Sequence, residues 1–197
     1  MSKQEQLDAL KNRIESDLDC PLKEQATQIV FGKGNPDADI IFIGEAPGAK
    51  EDEQGIPFVG RAGQELDKQL HTIGLSLDEV YIANILKYRP PQNRDPTKEE
   101  IISHTPYLIE QINIIRPKYI ITLGNYSTKF VLTGFSPKGM SKIKGISELH
   151  GTDQTVEKDE KKYHVFPMYH PAAMMYNGKV REFFEKDFLI LGELLKK

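Results

Sequence analysis

Four short runs of apolar and β-branched residues recur along the chain, and each has the length of a buried strand. The predicted strands are Asp39–Gly44, Val80–Ile85, Lys118–Leu123 and Tyr163–Met168. In the segments between and after them, apolar positions recur every three or four residues, which is the period of a helix with one buried face. The pattern therefore predicts strands that alternate with amphipathic helices.

Three helices are predicted from this period, and the second has a start signal at Asp95-Pro96-Thr97. Their apolar faces consist of Ala62, Leu66, Leu70 and Ile73; of Ile101, Thr105, Leu108, Ile112 and Ile115; and of Val180, Phe184, Phe188, Leu191 and Leu195. Strands separated by helices are parallel, and their crossovers are right-handed. We therefore predict an α/β fold, a three-layer α/β/α sandwich with a central, mainly parallel four-stranded sheet, formed by a single domain over residues 1–197.

In such sheets a ligand binds at the carboxyl ends of the strands. The first predicted strand runs into Gly44-Glu45-Ala46-Pro47-Gly48, the second has Asn84 near its end, and the fourth runs into Tyr169-His170-Pro171. The pattern therefore predicts that three polar loops meet at one edge of the sheet.

Composition narrows the class of protein. The chain is 39% hydrophobic and 28% charged, which is ordinary for a globular protein, and it has no apolar run of about 18 residues. Its first segment is charged and lacks the apolar core of a signal peptide. We expect a cytoplasmic protein with no membrane association. Cys20 is the single cysteine, which excludes an internal disulfide and a four-thiolate metal centre within one chain.

The net charge of −3 is not typical of a nucleic-acid binder, but the charge is unevenly distributed. Residues 116–150 contain six basic residues and one acidic residue. A second basic group, Lys87, Arg89 and Arg94, lies in a proline-rich stretch. A local positive face and ordinary solvated lysines are both compatible with this pattern.

Three long motifs in register carry a family resemblance. They are GEAPGAKEDEQGIPFVGRAGQELDKQL at 44–70, NILKYRPPQNRDP at 84–96 and YHPAAMM at 169–175. Together they resemble the conserved blocks of family 4 uracil-DNA glycosylases, and the α/β order also fits. The resemblance implies a monofunctional glycosylase that removes uracil from DNA in base excision repair, acting as a monomer on uracil-containing DNA.

The resemblance assigns the contacts to the base. It implies that Phe58 stacks on a uracil flipped out of the duplex, and that His170 donates a hydrogen bond to uracil O2 as the base leaves as an anion. Asn84 can distinguish uracil from cytosine, because its amide can accept from N3–H and donate to O4. A core phenylalanine, a structural asparagine and a satisfied loop histidine are the alternatives.

The cationic sugar and the attacking water call for a carboxylate, and Glu45 and Glu51 are both candidates. We favour Glu45 as base or electrostatic stabiliser and Glu51 as its partner or a water ligand. The main-chain N–H groups of Ala46 and Gly48 are further candidates to bind a uracil oxygen.

Contacts with the rest of the DNA are also predicted. The candidates for phosphate contacts are Arg61, Arg89, Arg94, Lys142 and Lys144. Met174 and Met175 stand where the family has leucines, and an apolar wedge there would fill the gap left by the flipped base.

The chain departs from the family at the cluster that family 4 enzymes usually hold, a [4Fe–4S] centre bound by four cysteines. The matching positions are Asp17, Cys20, Tyr88 and His104. Because such clusters need thiolate ligands, we expect no cluster and no metal; a zinc site from Asp17, Cys20 and His104 is the alternative.

Three other functions remain open from the sequence. One is a glycosylase for another deaminated base, and the second is a protein that binds uracil-DNA without turnover or traps its product. The third is a flavodoxin-like module that binds a mononucleotide and performs no chemistry.

Overall fold

The structure, a computed structural model, describes residues 1–196. The described helices are α1 (Lys3–Asp17), α2 (Pro21–Gln25), α3 (Ala49–Gln54), α4 (Arg61–Thr72), α5 (Lys98–Ile115), α6 (Asn125–Leu132), α7 (Ile146–Leu149), α8 (Pro171–Met174) and α9 (Gly178–Leu194). The described strands are β1 (Lys33–Gly34), β2 (Ile40–Gly44), β3 (Val80–Asn84), β4 (Tyr119–Leu123), β5 (Gln154–Lys158) and β6 (Lys161–Met168). One-turn 3₁₀ helices lie at Pro91–Asn93 and Met140–Lys142.

The six strands form one sheet in the order β1-β3-β2-β4-β6-β5. Its centre consists of the four predicted strands, β3, β2, β4 and β6, and all neighbours among them are parallel. The register aligns Gly44 with Asn84 and Leu123 with Met168. The predicted α/β fold and its parallel strands are confirmed.

Two antiparallel edge strands extend this sheet beyond the four strands predicted. β1 has only two residues, and β5 is mostly polar, so neither produces an apolar run. β5 and β6 form a hairpin whose two loop residues, Asp159 and Glu160, have φ of 49° and 62°, as in a type I′ turn. Charged residues along β5 also protect the sheet edge from pairing with other chains.

The sheet separates two apolar clusters because alternate strand residues point to opposite faces. Ile41 and Ile43 of β2 pack with α1, α5 and α6 on one face. Ile40 and Phe42 pack with α4, α8 and α9 on the other. This arrangement is the predicted α/β/α layering.

Local signals in the sequence fix the start of the longest helix, α5. The Thr97 hydroxyl accepts from the main-chain N–H of Glu100, and the Glu100 carboxylate accepts from the N–H of Thr97. This capping box satisfies two N–H groups that have no partner inside the helix. The predicted start at Asp95-Pro96-Thr97 is therefore confirmed. No helix among residues 1–196 is long and apolar enough to cross a bilayer.

Candidate active site

A cavity of about 300 Å³ opens at the carboxyl ends of β2 and β3, beside the loop that follows β6. Its volume is at the lower end of the range for small-molecule pockets. The seven residues that the sequence assigned to catalysis or base contact all line it: Glu45, Ala46, Gly48, Glu51, Phe58, Asn84 and His170. Residues from distant parts of the chain thus meet in one wall because parallel strands end at the same edge.

Asn84, the last residue of β3, lies at the bottom of this cavity. Its side chain is buried, and its Oδ1 atom has no hydrogen-bond partner among the described residues. Buried polar atoms are nearly always paired. An unpaired acceptor in a cavity wall is therefore a site where a ligand N–H can bind.

Phe58 forms another part of the wall and has an unusual backbone conformation. Its φ is +51°, in the left-handed region that non-glycine residues rarely adopt. Its ring is buried and lies 5.7 Å from the His170 ring, centroid to centroid, at a tilt of 33°. Gly63 of α4 makes room for this backbone, since a Cβ there would lie 1.9 Å from the Phe58 carbonyl oxygen.

Glu51 is occupied by the main chain around Phe58. Its Oε1 atom accepts from the N–H groups of Val59 at 2.9 Å and Gly60 at 2.8 Å, and its Oε2 atom accepts from Gly48 at 3.1 Å. The carboxylate therefore ties the loop before α3 to the loop before α4. Because Gly48 donates to Glu51, it is not available to uracil, and Ala46 is left as the candidate main-chain donor of the pair.

Glu45 has the opposite environment. Its carboxylate has no hydrogen-bond or ion-pair partner in the described part of the chain, and it is half-buried in the cavity wall. Burial raises the pKa of Glu45 to about 7, with a smaller contribution from the charge of Asp95. A carboxyl group with this pKa can exchange a proton near neutral pH, as a general base must.

His170 precedes α8 and caps it. Its Nδ1 atom accepts from the main-chain N–H of Ala172 at 3.2 Å, so a neutral ring carries its proton on Nε2. Burial lowers the pKa of His170 to about 4. The ring is therefore a neutral N–H donor at physiological pH.

The predicted phosphate contacts are less closely grouped. Arg94 lines the cavity and pairs with Glu100 at 2.6 Å, while Arg89 donates to Asn93 Oδ1 at 2.8 Å. Arg61, Lys142 and Lys144 are exposed outside the cavity wall, and Lys144 pairs with Glu148. Lys87, which the sequence placed in the same basic group as Arg89 and Arg94, is fully buried and cannot reach a phosphate in this conformation.

The predicted wedge is also differently placed. Met174 is 2% exposed and packs in the core beside α4 and α9, so it cannot enter a duplex in this conformation, and Met175 is half-buried. The next residue, Tyr176, is 87% exposed. Tyr176 could not be recognised from the sequence because α8 has only four residues, and a helical period cannot reveal which side chain leaves the core there.

The four positions that match the family's cluster cysteines do not form a metal centre. Asp17 accepts from the neighbouring Ser16, while Cys20, Tyr88 and His104 are buried. The rings of Tyr88 and His104 meet edge to face at 6.3 Å, and His104 Nδ1 bonds to the Glu100 carbonyl at 2.8 Å. Among residues 1–196 no group of three histidine, cysteine or acidic side chains is arranged to hold a metal ion. With one thiol and one free imidazole nitrogen, His104 Nε2, these residues do not fit a cluster that needs four thiolates.

Comparisons with known proteins agree with this geometry. The sequence profile described as "Uracil DNA glycosylase superfamily" matches residues 31–191. The Type-4 uracil-DNA glycosylase of Archaeoglobus fulgidus is 44% identical over 193 residues, which cover 98% of this chain and 95% of that protein. The Type-4 uracil-DNA glycosylase of Sulfurisphaera tokodaii is 44% identical over 95% of this chain and 84% of its own. The Type-4 uracil-DNA glycosylase of Thermotoga maritima is 38% identical over 200 residues, which cover 100% of this chain and 98% of that protein.

Proposed function

This chain belongs to the uracil DNA glycosylase superfamily, and on that basis we propose that it hydrolyses the N-glycosidic bond of deoxyuridine in DNA. The bond between uracil N1 and the sugar C1′ breaks, water adds to C1′, and uracil and an abasic site are the products. The names of the relatives support this reaction. The observation that carries the proposal is the buried, unpaired Oδ1 atom of Asn84 in the wall of a base-sized cavity.

Asn84 accounts for the choice of base. Uracil presents N3–H to an acceptor, whereas cytosine has an unprotonated N3 that would face the same oxygen without a proton between them. A buried acceptor left unpaired costs about 1–3 kcal/mol. The orphaned Oδ1 atom thus favours uracil over cytosine, with Phe58 stacking on the face of the flipped base.

His170 supports departure of the uracil anion. Because its Nδ1 atom accepts from Ala172, the donor is Nε2–H, which we assign to uracil O2. The low pKa of His170, about 4, keeps the ring neutral, so it donates this hydrogen bond without transferring its proton near pH 7. Fixed donors aimed at developing negative charge are a large source of catalysis.

Glu45 is the carboxylate we assign to the sugar and to water. It is free of other partners among the described residues, and its pKa of about 7 suits proton exchange with the attacking water. Once ionised, it also stabilises the positive charge that develops on the sugar. We assign Glu51 a different role, that of holding the loop that carries Phe58.

The duplex would be held outside the cavity. We assign phosphate contacts to Arg61, Arg89, Arg94, Lys142 and Lys144, which position DNA without reading its sequence. In place of Met174 we assign the wedge to Tyr176, whose exposed ring can stack where the base has left.

We further propose that this enzyme works without an iron–sulfur cluster, as a cytoplasmic monomer. The mismatch between the donor set and a four-thiolate centre supports the first point. The buried contact between Tyr88 and His104 replaces the cluster as a link between the segment after β3 and α5.

The test is cleavage of a labelled oligonucleotide that contains one deoxyuridine, followed by alkali to break the abasic site. Matched strands carry deoxycytidine, thymidine or deoxyinosine at the same position. We expect cleavage of the deoxyuridine strand, a loss of about 100-fold or more in Glu45→Gln, and a loss of about 5- to 150-fold in Asn84→Ala. Glu53→Gln is the control, since Glu53 is exposed and its carboxylate pairs with Lys50 at 3.0 Å, away from the cavity wall.

Each alternative predicts another result. Preferred cleavage of the deoxyinosine strand indicates a different deaminated base, and tight binding without cleavage indicates a binding protein. A protein that ignores all four strands but binds a mononucleotide contradicts the proposal.

A further inference from the structure

Two lysines outside the cavity wall contact the two residues to which we assign uracil recognition. Lys33 Nζ donates to the main-chain carbonyl of Phe58 at 2.9 Å. Lys87 Nζ donates to the main-chain carbonyl of Asn84, also at 2.9 Å. Neither lysine lines the cavity. A lysine ammonium therefore binds the main-chain carbonyl of each of the two residues, Phe58 and Asn84.

Lys87 is the more deeply buried of the two. Its side chain has no exposed surface, and its ammonium is surrounded by three acceptors: the carbonyl of Asn84, Gln111 Oε1 at 2.7 Å and the carbonyl of Phe31 at 3.4 Å. An ammonium has three N–H donors and no acceptor, so these three acceptors fit the charged form of Lys87. Gln111 in turn donates to Phe31 and Tyr81, which links α5, β3 and the segment before β1.

The Asn84 carbonyl that Lys87 contacts lies at the end of β3. The N–H of Ile85, in the same peptide group, donates to Gly44, and the N–H of Leu86 donates to Glu45. Lys87 therefore holds the carbonyl side of the peptide group that follows Asn84, while Gly44 holds its N–H side.

Lys33 has the corresponding role at Phe58. It belongs to the edge strand β1, which pairs with β3, and it crosses the sheet edge to reach the loop before α4. Phe58 is held in the left-handed region, where its carbonyl cannot join a helix or strand ladder. The Lys33 ammonium stabilises that carbonyl, while Glu51 binds the two N–H groups that follow.

Both charges are held in unfavourable surroundings. Burial lowers the pKa of Lys33 and lowers the pKa of Lys87 to about 7. A methionine of similar length would avoid this cost of desolvation, so the ammonium groups serve a purpose that apolar packing does not.

We propose that Lys33 and Lys87 are positioning residues, which hold in place the residues that bind uracil. This inference rests on the proposed function. Each ammonium fixes the backbone of a residue that contacts the base, Phe58 or Asn84. Neither lysine touches the substrate. Their effect is on recognition of uracil and on the rate of the chemical step, and not on the affinity for DNA backbone.

The experiment compares Lys33→Met and Lys87→Met with the wild-type chain. Three quantities are measured for each: the single-turnover rate on deoxyuridine DNA, the inhibition constant of free uracil, and the affinity for matched DNA that contains thymidine. Lys118→Met is the control for loss of a lysine, because Lys118 is exposed and pairs with Asp39 at 2.7 Å. Thermal midpoints are recorded for all variants.

We expect a loss of about 10- to 100-fold in the single-turnover rate, since small misplacements of contact groups have effects of this size. The uracil inhibition constant rises in parallel, and the affinity for thymidine DNA stays within about twofold of wild type. Lys33→Arg, which keeps a donor on the exposed edge strand, recovers most of the loss. If Lys87→Met does not fold, the Lys33 pair of variants decides the question.

A purely structural role gives a different pattern: a lower thermal midpoint with an unchanged rate and an unchanged inhibition constant in the folded variants. That result overturns the inference and leaves the proposed function intact. A wild-type protein that neither cleaves deoxyuridine DNA nor binds uracil overturns both.

Discussion

The amide oxygen of Asn84 lies where a side chain on Gly44 would have to be. A Cβ built on Gly44 would fall 2.3 Å from Asn84 Oδ1 and 2.6 Å from the Cζ atom of Phe58. Gly44 and Asn84 lie side by side in register at the ends of β2 and β3. A glycine at this point thus allows the amide and the aromatic ring to meet beside the same strand end.

Gly44→Ala tests this close approach. The buried amide of Asn84 and the buried ring of Phe58 cannot both move aside, so we expect kcat/KM on deoxyuridine DNA to fall about 100-fold through misplacement of these two side chains. Gly178→Ala is the matched control, because nothing lies within 4 Å of the position that a Cβ would occupy there. Equal activity of the two variants in the alkali cleavage assay contradicts the proposed packing.

The ionisation of Glu45 sets the pH dependence of the reaction. Because its pKa is about 7, the carboxylate forms as the pH rises through neutrality, and single-turnover rates should rise over that interval. Glu45→Gln should lower the rate about 100-fold or more and remove this dependence. A wild-type profile that is flat from about pH 6 to about pH 8 would falsify the assignment of Glu45 as base.

His104 makes the stability of the fold depend on pH. Burial lowers its pKa from 6.5 to about 4, so the folded protein holds the neutral ring while the unfolded chain takes up a proton below about 6.5. The contribution of His104 to the free energy of unfolding is therefore fully present above about pH 6.5 and is lost as the pH drops toward about 4, by up to about 3 kcal/mol for this one group. Urea unfolding at several pH values measures how steeply the free energy of unfolding depends on pH in the wild type and in His104→Leu. If the free energy of unfolding depends on pH equally in both proteins, the prediction for His104 is wrong.

Metal removal tests the absence of a cluster. We expect protein purified under nitrogen to contain no stoichiometric iron or zinc, and a chelator to leave its thermal midpoint and glycosylase rate unchanged. Cys20→Ala should keep full activity and lose only a little stability, because the thiol packs as a small apolar group. Bound iron that is lost in Cys20→Ala together with activity is the opposing outcome.

Tyr176 should matter for double-stranded DNA above all. Stacking of an aromatic ring is worth about 1–3 kcal/mol per base, so Tyr176→Ala should lower the rate on duplex DNA about 10-fold. Tyr176→Ala should remove uracil from single-stranded DNA, which has no gap to fill, at nearly the wild-type rate. Tyr176→Phe should behave as wild type. The control is Leu189→Ala, an exposed residue on the outer side of α9. Equal losses on single and double strands argue against a wedge.

The four central strands, three of the longer helices and the wall of the cavity were predictable from local patterns in the chain. Strand and helix periods depend on residues a few positions apart, which is why β2, β3, β4 and β6 and the buried face of α5 could be recognised. The rule that parallel strands present their carboxyl ends at one edge then grouped Glu45, Asn84 and His170 correctly around one cavity.

The task of each polar group in that cavity depends instead on tertiary contacts. Glu45 and Glu51 are both glutamates in the same short motif, yet one lies free and the other is bound by three main-chain N–H groups. Lys87 stands in a basic motif but is buried, with acceptors on the distant Phe31 and Gln111 as well as on nearby Asn84. Met174 is covered while Tyr176 is not. Burial and hydrogen bonding of this kind depend on how loops and secondary-structure elements pack against one another, which the period of apolar residues does not record.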